Sequence, residues 1–217
     1  TASMSLVQSN YKGTPAYRAA LLTSGSERAD RYFVLRDTIL CYSSLGLEPL
    51  YFRKGSRHDK QYTVDEVFYS YANNKPTLKQ HRQRRDGEHE WKTTTFNECV
   101  YDMLNIVLRA RSFNPEGWKS GNTISFTIAD GRHIQKALLR YNGKKVIKAD
   151  NGKKYRCLEL SYLEQEEKKN KEIIRFFVTD DSNHVPIRLD MFLKFGSAKA
   201  FLVGMKGVKN AISSEVQ

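Results

Sequence analysis

VPIRLDMFLKFGSAKAFLVGM, running from Val185 to Met205, holds the plainest pattern in the chain. Val185, Ile187, Leu189, Met191, Leu193 and Phe195 fall in one phase, and Pro186, Arg188, Asp190, Phe192 and Lys194 in the other. Successive side chains on a strand point to opposite faces, so this spacing predicts a strand with one buried face. Gly196-Ser197 then predicts a two-residue type II′ link, because glycine accepts the first turn position. That link sets Phe195 opposite Ala198, Leu193 opposite Ala200 and Met191 opposite Leu202. On the other face it pairs Phe192 with Phe201 and Lys194 with Lys199, a like-charge mismatch that calls for a carboxylate or open water alongside.

Hairpins of this kind recur outward from that stretch. Thr1–Gln8, Ala16–Thr23, Arg31–Tyr42, Pro49–Lys54, Gln61–Tyr71, Thr77–Arg84 and Glu88–Thr94 read as strands. Ser24-Gly25-Ser26, Asn73-Asn74 and Asp86-Gly87 punctuate them as turns. In Gln61–Tyr71, Tyr62, Val64 and Phe68 share one side and Val67, Tyr69 and Tyr71 the other. The Leu78–Arg85 strand is so poor in apolar residues that it is expected to be exposed on both faces or to lie at a sheet edge, where positive charge blocks pairing.

A helix is expected over Glu98–Arg111. Asn97 suits an N-cap, Arg109 and Arg111 suit the C-terminal end of the dipole, and Val100, Leu104, Val107 and Leu108 form an apolar stripe. Strands return after Trp118, which is expected to lie in a loop and plug an open end of the sheet. Asp130-Gly131, Asn142-Gly143 and Asn151-Gly152 read as hairpin turns. Tyr155–Leu163 and Ile173–Thr179 are strands, joined through the charged run Glu164–Lys171, which suits a solvated tip.

The whole chain, 1–217, is therefore expected to form one β-rich domain: mainly β, a single curled antiparallel sheet or open barrel with one α-helix packed against it. Its 217 residues suit one all-β unit. No run approaches the ~18 apolar residues of a membrane-spanning helix, so the chain is not expected to span a membrane. Thr1–Gln8 already alternates, with no basic or apolar leader segment ahead of it.

Lysine plus arginine number 36 against 24 aspartates and glutamates, a net charge of +12. Such a balance suits either a polyanion partner or simple solvation of strand faces, and the even spread of charge favours solvation. His81-Arg82-Gln83-Arg84-Arg85 is the densest basic run, and Arg82, Arg84 and Arg85 are the candidate polyanion contacts. No helix-turn-helix, zinc finger or aromatic RNP-type strand surrounds them, so specific nucleic-acid binding is not expected. The histidines His58, His81, His89, His133 and His184 lack metal-site spacing, although His81 and His89 can approach across the Asp86-Gly87 hairpin. No metal or cofactor is expected. Cys41, Cys99 and Cys157 have no close spacing and read as reduced or buried thiols, with one disulfide in any of three pairings left open. Asp180-Asp181 near His184 is the most tempting acid–base cluster, but adjacent carboxylates on a strand point apart, and turn capping is the simpler role. Nucleophile-elbow, Walker and dinucleotide fingerprints are absent, so no catalytic residue is assigned and an enzyme is not expected.

The segment FFVTDDSNHVPIRLDMFLKFGSAKAFLVGMKG resembles the C-terminal signature of the exported bacterial family called domain of unknown function 3108. The matching structural-motif positions are Asp180, Asp181, Pro186, Arg188, Lys194, Gly196 and Ser197. RYFVLRDTILCYSSLGLEPLYFRKG, the helix YDMLNIVLRARS and DGRHIQKALLRYNGKKVIKADNGKKYRCLEL are also similar to it. The resemblance implies a periplasmic or cell-envelope location and a strongly bent, lipoprotein-carrier-like sheet. It implies an export signal and a first strand rich in Gly, Glu and Tyr that this chain lacks. It implies no known activity. Two functions are expected from the whole reading. One is a non-enzymatic envelope protein that binds an apolar or lipid-like ligand, or a partner protein, in a concavity lined by Leu104, Leu108, Trp118, Phe192 and Phe201. The other is binding of a polyanion, such as an acidic glycan or lipopolysaccharide, through a basic sheet face.

Overall fold

Period-two sequence becomes strand almost throughout. The structure is a computed structural model and describes residues 2–24, 35–58, 60–131, 133–165, 170–193 and 196–217. In order these form β1 (Ala2–Tyr11), β2 (Thr14–Ser24), β3 (Leu35–Ser44), β4 (Pro49–His58), β5 (Gln61–Ala72), β6 (Lys75–Gln83), β7 (His89–Thr95) and β8 (Val100–Tyr101). A single helix among the described residues, α1 (Asn105–Arg111), precedes β9 (Thr123–Asp130), β10 (His133–Lys148), β11 (Lys154–Gln165) and β12 (Asn170–Thr179). The chain ends in β13 (Pro186–Leu193), β14 (Gly196–Phe201) and β15 (Glu215–Val216). The mainly β, antiparallel architecture with one helix is therefore as expected, and its hydrogen bonding divides into two sheets. One runs β1 to β7 in sequence order; the other runs β14-β13-β12-β11-β10-β9-β8, with β15 added on β11. The short β8 pairs with β9 in parallel. The Ser24-Gly25-Ser26 turn lies mostly outside the described residues, as does the tip of the Glu164–Lys171 run.

The chain forms two compact units, residues 1–112 with 127–134, and residues 113–126 with 135–217. In the first, register aligns one strand phase into the core. Ala19, Cys41, Phe52, Val67 and Gln80 stand side by side across β2 to β6, and all five are fully buried. Small residues at Ala19 and Cys41 stand beside the phenyl ring of Phe52 in this row, and all three join one core cluster.

The helix begins seven residues later than its apolar stripe predicts. Val100-Tyr101 is taken up by β9, which leaves Asp102 as the turning point. Asp102 Oδ1 accepts the backbone N–H groups of Leu104 at 3.1 Å and Asn105 at 2.8 Å. Its Oδ2 accepts from Asn105 Nδ2 at 2.5 Å and Tyr69 Oη at 3.2 Å. Ser43 Oγ closes the network by donating to Asn105 Oδ1. Asp102 thus does the capping expected of Asn97. A helix of seven residues is too short to stand alone; it is held by Leu104 and Leu108, which join Phe52, Val67, Tyr69, Leu78 and Val100 in one cluster.

In the second unit Ile147, Ala149, Tyr155, Cys157, Phe177 and Ile187 form the core, with Leu202, Met205 and Ile212 against it. Asn151-Gly152 is the expected turn, closed by Ala149 N–H to Lys153 O at 2.9 Å. Asn142-Gly143 is not a turn. It lies inside β10, where Gly143 (φ 120°) forms a bulge against β11.

The opening hairpin also corrects its expectation. Gly196-Ser197 starts β14, and Leu193 faces Gly196, Met191 faces Ala198, Leu189 faces Ala200 and Arg188 faces Phe201. Partners therefore move by four residues, and Lys194 and Phe195 lie outside the described residues. An even shift keeps every side chain on its predicted face. It also replaces the Lys194–Lys199 pairing with Asp190 opposite Lys199. The guanidinium of Arg188, gripped by Asp190 at 2.6 and 2.5 Å, lies 5.5 Å from the Phe201 ring and 5.0 Å from Phe177. Of these, Arg188 against Phe201 and Asp190 opposite Lys199 are available only in the observed register of β13 and β14.

Complete burial pushes the Asp102 carboxyl up to about 6 from 3.8, against the pull of its hydrogen-bond donors. The folded state therefore holds this proton more tightly than the unfolded chain. The stabilisation is full below pH 3.8 and is lost as pH rises through about 6. Urea unfolding across this window should show a component of about 3 kcal/mol with that sign, and Asp102→Asn should flatten it. Asp102→Ala, which orphans four donors, should cost about 2 kcal/mol or more at any pH.

Candidate functional site

The phase of β1 to β7 that does not enter the core lines up on the opposite face of the sheet. One row across it reads Val7, Arg18, Tyr42, Tyr51, Phe68, Lys79, Thr93. The next reads Ser5, Ala20, Leu40, Arg53, Glu66, His81, Trp91. These two rows carry three cations, Arg18, Arg53 and Lys79, and one carboxylate, Glu66.

Their rings touch in sequence. Tyr42 and Tyr51 lie 6.4 Å apart, Tyr51 and Phe68 5.1 Å, Phe68 and Trp91 6.3 Å, and Trp91 stacks on His81 at 4.2 Å. Tyr11, from β1, leans in at 5.1 Å from Tyr42 and 5.9 Å from Tyr51. The band is half-buried, and Trp91 is 51% exposed. Cross-strand aromatic pairs stabilise a sheet by about 0.2–1 kcal/mol each, yet an indole this open contributes little of its area to folding.

A polar chain runs through the band. Tyr51 Oη donates to Glu66 Oε1. Glu66 Oε2 meets His81 Nδ1 at 2.8 Å, and His81 Nε2 meets His89 Nδ1 at 2.8 Å. Burial, reinforced by the bond to Glu66, pushes the Tyr51 phenol well above its ordinary value, so it remains a donor. Arg53 donates to Tyr62 Oη at 2.9 Å and lies 3.7 Å from Glu66. Lys79 Nζ sits 4.7 Å from the centroid of the Trp91 ring. Both nitrogens of His81 are engaged, so it presents neither to a substrate. Among the described residues no group of three or more His, Cys, Asp or Glu is arranged to hold a metal ion.

The expected basic patch is arranged differently. β6 is an interior strand, with Leu78 and Gln80 fully buried and His81 nearly so. Its polar side chains find partners inside, apart from Gln80 Oε1, which is buried without one. Gln80 Nε2 donates to Gly131 O. Arg82 lies on the core side, bonded to Asp65 Oδ1 at 2.7 Å. Arg84 lies beyond the strand end and pairs with Glu90 at 3.1 Å and Asp86 at 3.9 Å. Arg85 is exposed in the turn. The three arginines thus do not share a face, and carboxylates stand against two of them.

The expected apolar contacts divide between the two units. Leu104 and Leu108 are 3% and 4% exposed, sealed by core side chains of the first unit. Trp118, Phe192 and Phe201 belong to the second unit. There Trp118 packs edge-on to Tyr141 at 5.8 Å, and Phe192 lies beneath Arg175 at 5.6 Å. A shallow depression of about 400 Å³ at the ends of β1 to β3 is lined by Ala2, Leu22, Arg36 and Asp37 and by none of these five.

The motif residues of the second unit prove structural. Asp181 accepts from Thr179 Oγ1 at 2.9 Å, Asn183 N–H at 3.0 Å and Ser214 Oγ at 2.6 Å, which shapes the turn and ties down the C-terminal segment. Asp180 holds Arg156 and Lys144, each at 2.8 Å. Burial opposes the Asp180 charge, and these two cations outweigh it, keeping the carboxyl below its ordinary range. Pro186 opens β13 beside Val178, where register slips by one residue. All three cysteines are free; burial pushes the Cys157 thiol up to about 12.

Sequence reasoning missed Tyr11, Tyr42, Tyr51, Arg53, Glu66 and Trp91. Each sits in the off-core phase of its strand, a signal the alternation carries; that they adjoin needs the register.

A mainly antiparallel β chain with a ring-lined sheet face is the class of protein described here. A model of the family described as protein of unknown function (DUF3108) matches residues 1–203, and the chain belongs to that family. No curated protein matches it. Among solved structures it is similar to the crystal structure of a β-barrel-like protein of domain of unknown function DUF1849 from Brucella abortus. The TM-score is 0.54 at 10% identity, over 93% of this chain and 88% of that one, a likeness of fold. No described helix is long and apolar enough to cross a membrane.

Gly131, at φ 54°, lies so close to Arg82 and Asp65 that a Cβ there would strike both. Gly13, at φ 87°, has open space around it. Gly131→Ala should cost about 2–3 kcal/mol in urea unfolding and Gly13→Ala about 1, the difference isolating the clash from the backbone strain.

Proposed function

We propose that this chain is an exported, non-enzymatic protein of the cell envelope that holds an anionic polymer on the outer face of its seven-stranded sheet. The observation that carries this is the interleaving of Arg18, Arg53 and Lys79 with Tyr42, Tyr51, Phe68 and Trp91 in two adjacent rows. Cations so placed meet a charged chain at successive points, while the rings offer surface to whatever lies between the charges. The apolar-ligand reading loses support because Leu104 and Leu108 are already enclosed. The enzymatic reading has no support from the Glu66–His81–His89 chain, whose central imidazole is occupied on both sides. Export is supported by family membership together with the Asp180-Asp181, Pro186 and Arg188 motif. Fractionation of cells that make the full-length gene product tests it, and recovery from the cytoplasm alone would remove it.

Heparin serves as a generic anionic probe. Its affinity should fall steeply with salt, and Arg53→Ala and Lys79→Ala should each weaken it about tenfold and lower the salt slope by about one. Arg84→Ala with Arg85→Ala should change it less than threefold, on the order of an exposed-charge effect. The reverse ranking would move the site to the β6–β7 turn.

A further inference from the structure

We infer that the polymer taken by this face is an acidic saccharide, lying across the strands with its sugar rings on the aromatic band. This rests on the binding face proposed above and names its ligand. Three features carry it.

The first is direction. The rings of Tyr42, Tyr51, Phe68 and Trp91 come from β3, β4, β5 and β7 and succeed one another at 6.4, 5.1 and 6.3 Å. From Tyr42 to Phe68 the band therefore runs across the strands, one ring per strand, and it steps over β6 into the next row to reach Trp91; its centroid spacings are close to the length of one sugar residue. A linear saccharide laid along it meets a new ring with nearly every unit.

The second is the mixture of hydrogen-bonding types. Phosphodiester oxygens only accept, so a carboxylate in the middle of the face finds no donor on a phosphate backbone. Here Glu66 sits between Arg53 and His81 in the same row. Sugar hydroxyls both donate and accept, so they suit a row that sets a guanidinium beside a carboxylate. The Arg53 fork has more N–H groups than its contacts with Tyr62 and Glu66 use.

The third is the pairing of charge with the open ring. Trp91 is held from behind by His81 at 4.2 Å, and the exposed Lys79 brings its ammonium to 4.7 Å from the same indole. A sugar ring set against the indole would place a ring carboxylate within reach of Lys79. Such a side chain moves with little cost, so the ligand can displace it from the ring and pair with it. Neutral sugars would keep the stacking and lose the ion pair.

Titration calorimetry of the whole chain at low salt tests this with three probes: a tetragalacturonate, its methyl ester, and an oligothymidylate of equal charge. The tetragalacturonate should bind, and the ester and the oligothymidylate should each bind about tenfold more weakly. Trp91→Ala should weaken tetragalacturonate binding about tenfold, and Trp91→Phe should restore it to within about threefold. Trp91 is half-exposed, and circular dichroism is the check that both variants fold. Equal affinity for oligothymidylate, or indifference to Trp91→Ala, would overturn the saccharide assignment and leave the anionic-polymer reading standing. Binding of none of these probes, nor of heparin, would overturn both.

Discussion

Antiparallel register governs the first unit. Each strand from β2 to β6 spends one phase on the core row of Ala19, Cys41, Phe52, Val67 and Gln80. Once that row is aligned, the other phase has no freedom left: Arg53, Glu66 and His81 must stand side by side, and pairing of β7 with β6 sets Trp91 next to them. A slip of one residue on any strand would exchange the two faces. The ring band and the polar chain are consequently by-products of burying Phe52 and Val67, and the same packing that folds the sheet holds them rigid. A face built on strands in this way has its geometry set by the fold itself.

Carboxylates, fully buried at Asp102 and half-buried at Asp181, organise the places where alternation stops. Asp102 ends β8 and starts α1 by accepting two backbone and two side-chain donors. Asp181 performs the matching task in the second unit, where it gathers Thr179, Asn183 and Ser214. Each removes several buried donors from the unsatisfied state at once, and each would leave them stranded if truncated. Asp181 keeps its charge because the donors outweigh burial, whereas burial prevails at the fully enclosed Asp102.

The net charge of +12 does not read out as one basic surface. Much of it is answered locally: Arg82 by Asp65, Arg84 by Glu90, Arg188 by Asp190, Arg156 and Lys144 by Asp180, and Arg175 by Glu172 and Glu159. A run of consecutive basic residues on a strand is a poor guide to a patch, since neighbours in sequence face opposite ways. His81 and Arg82 illustrate it, one beneath Trp91 on the outer face and the other bonded to Asp65 on the core side.

Alternation alone determined the strands, their faces, the mainly antiparallel β class and the approach of His81 to His89, because period-two burial is a local property of the chain. It also carried the family likeness through the Asp180-Asp181, Pro186 and Arg188 motif. Only the tertiary structure decided the length of α1, since Val100 and Tyr101 satisfy a helical stripe as readily as a strand until β9 claims them. The hairpin register was likewise undecided by Gly196, and was settled by Arg188 against Phe201 and Asp190 against Lys199. The sheet face of Tyr42, Tyr51, Phe68 and Trp91 was out of reach for the same reason: its members lie as far as 49 positions apart (42 to 91), and only hydrogen bonding between strands makes them neighbours.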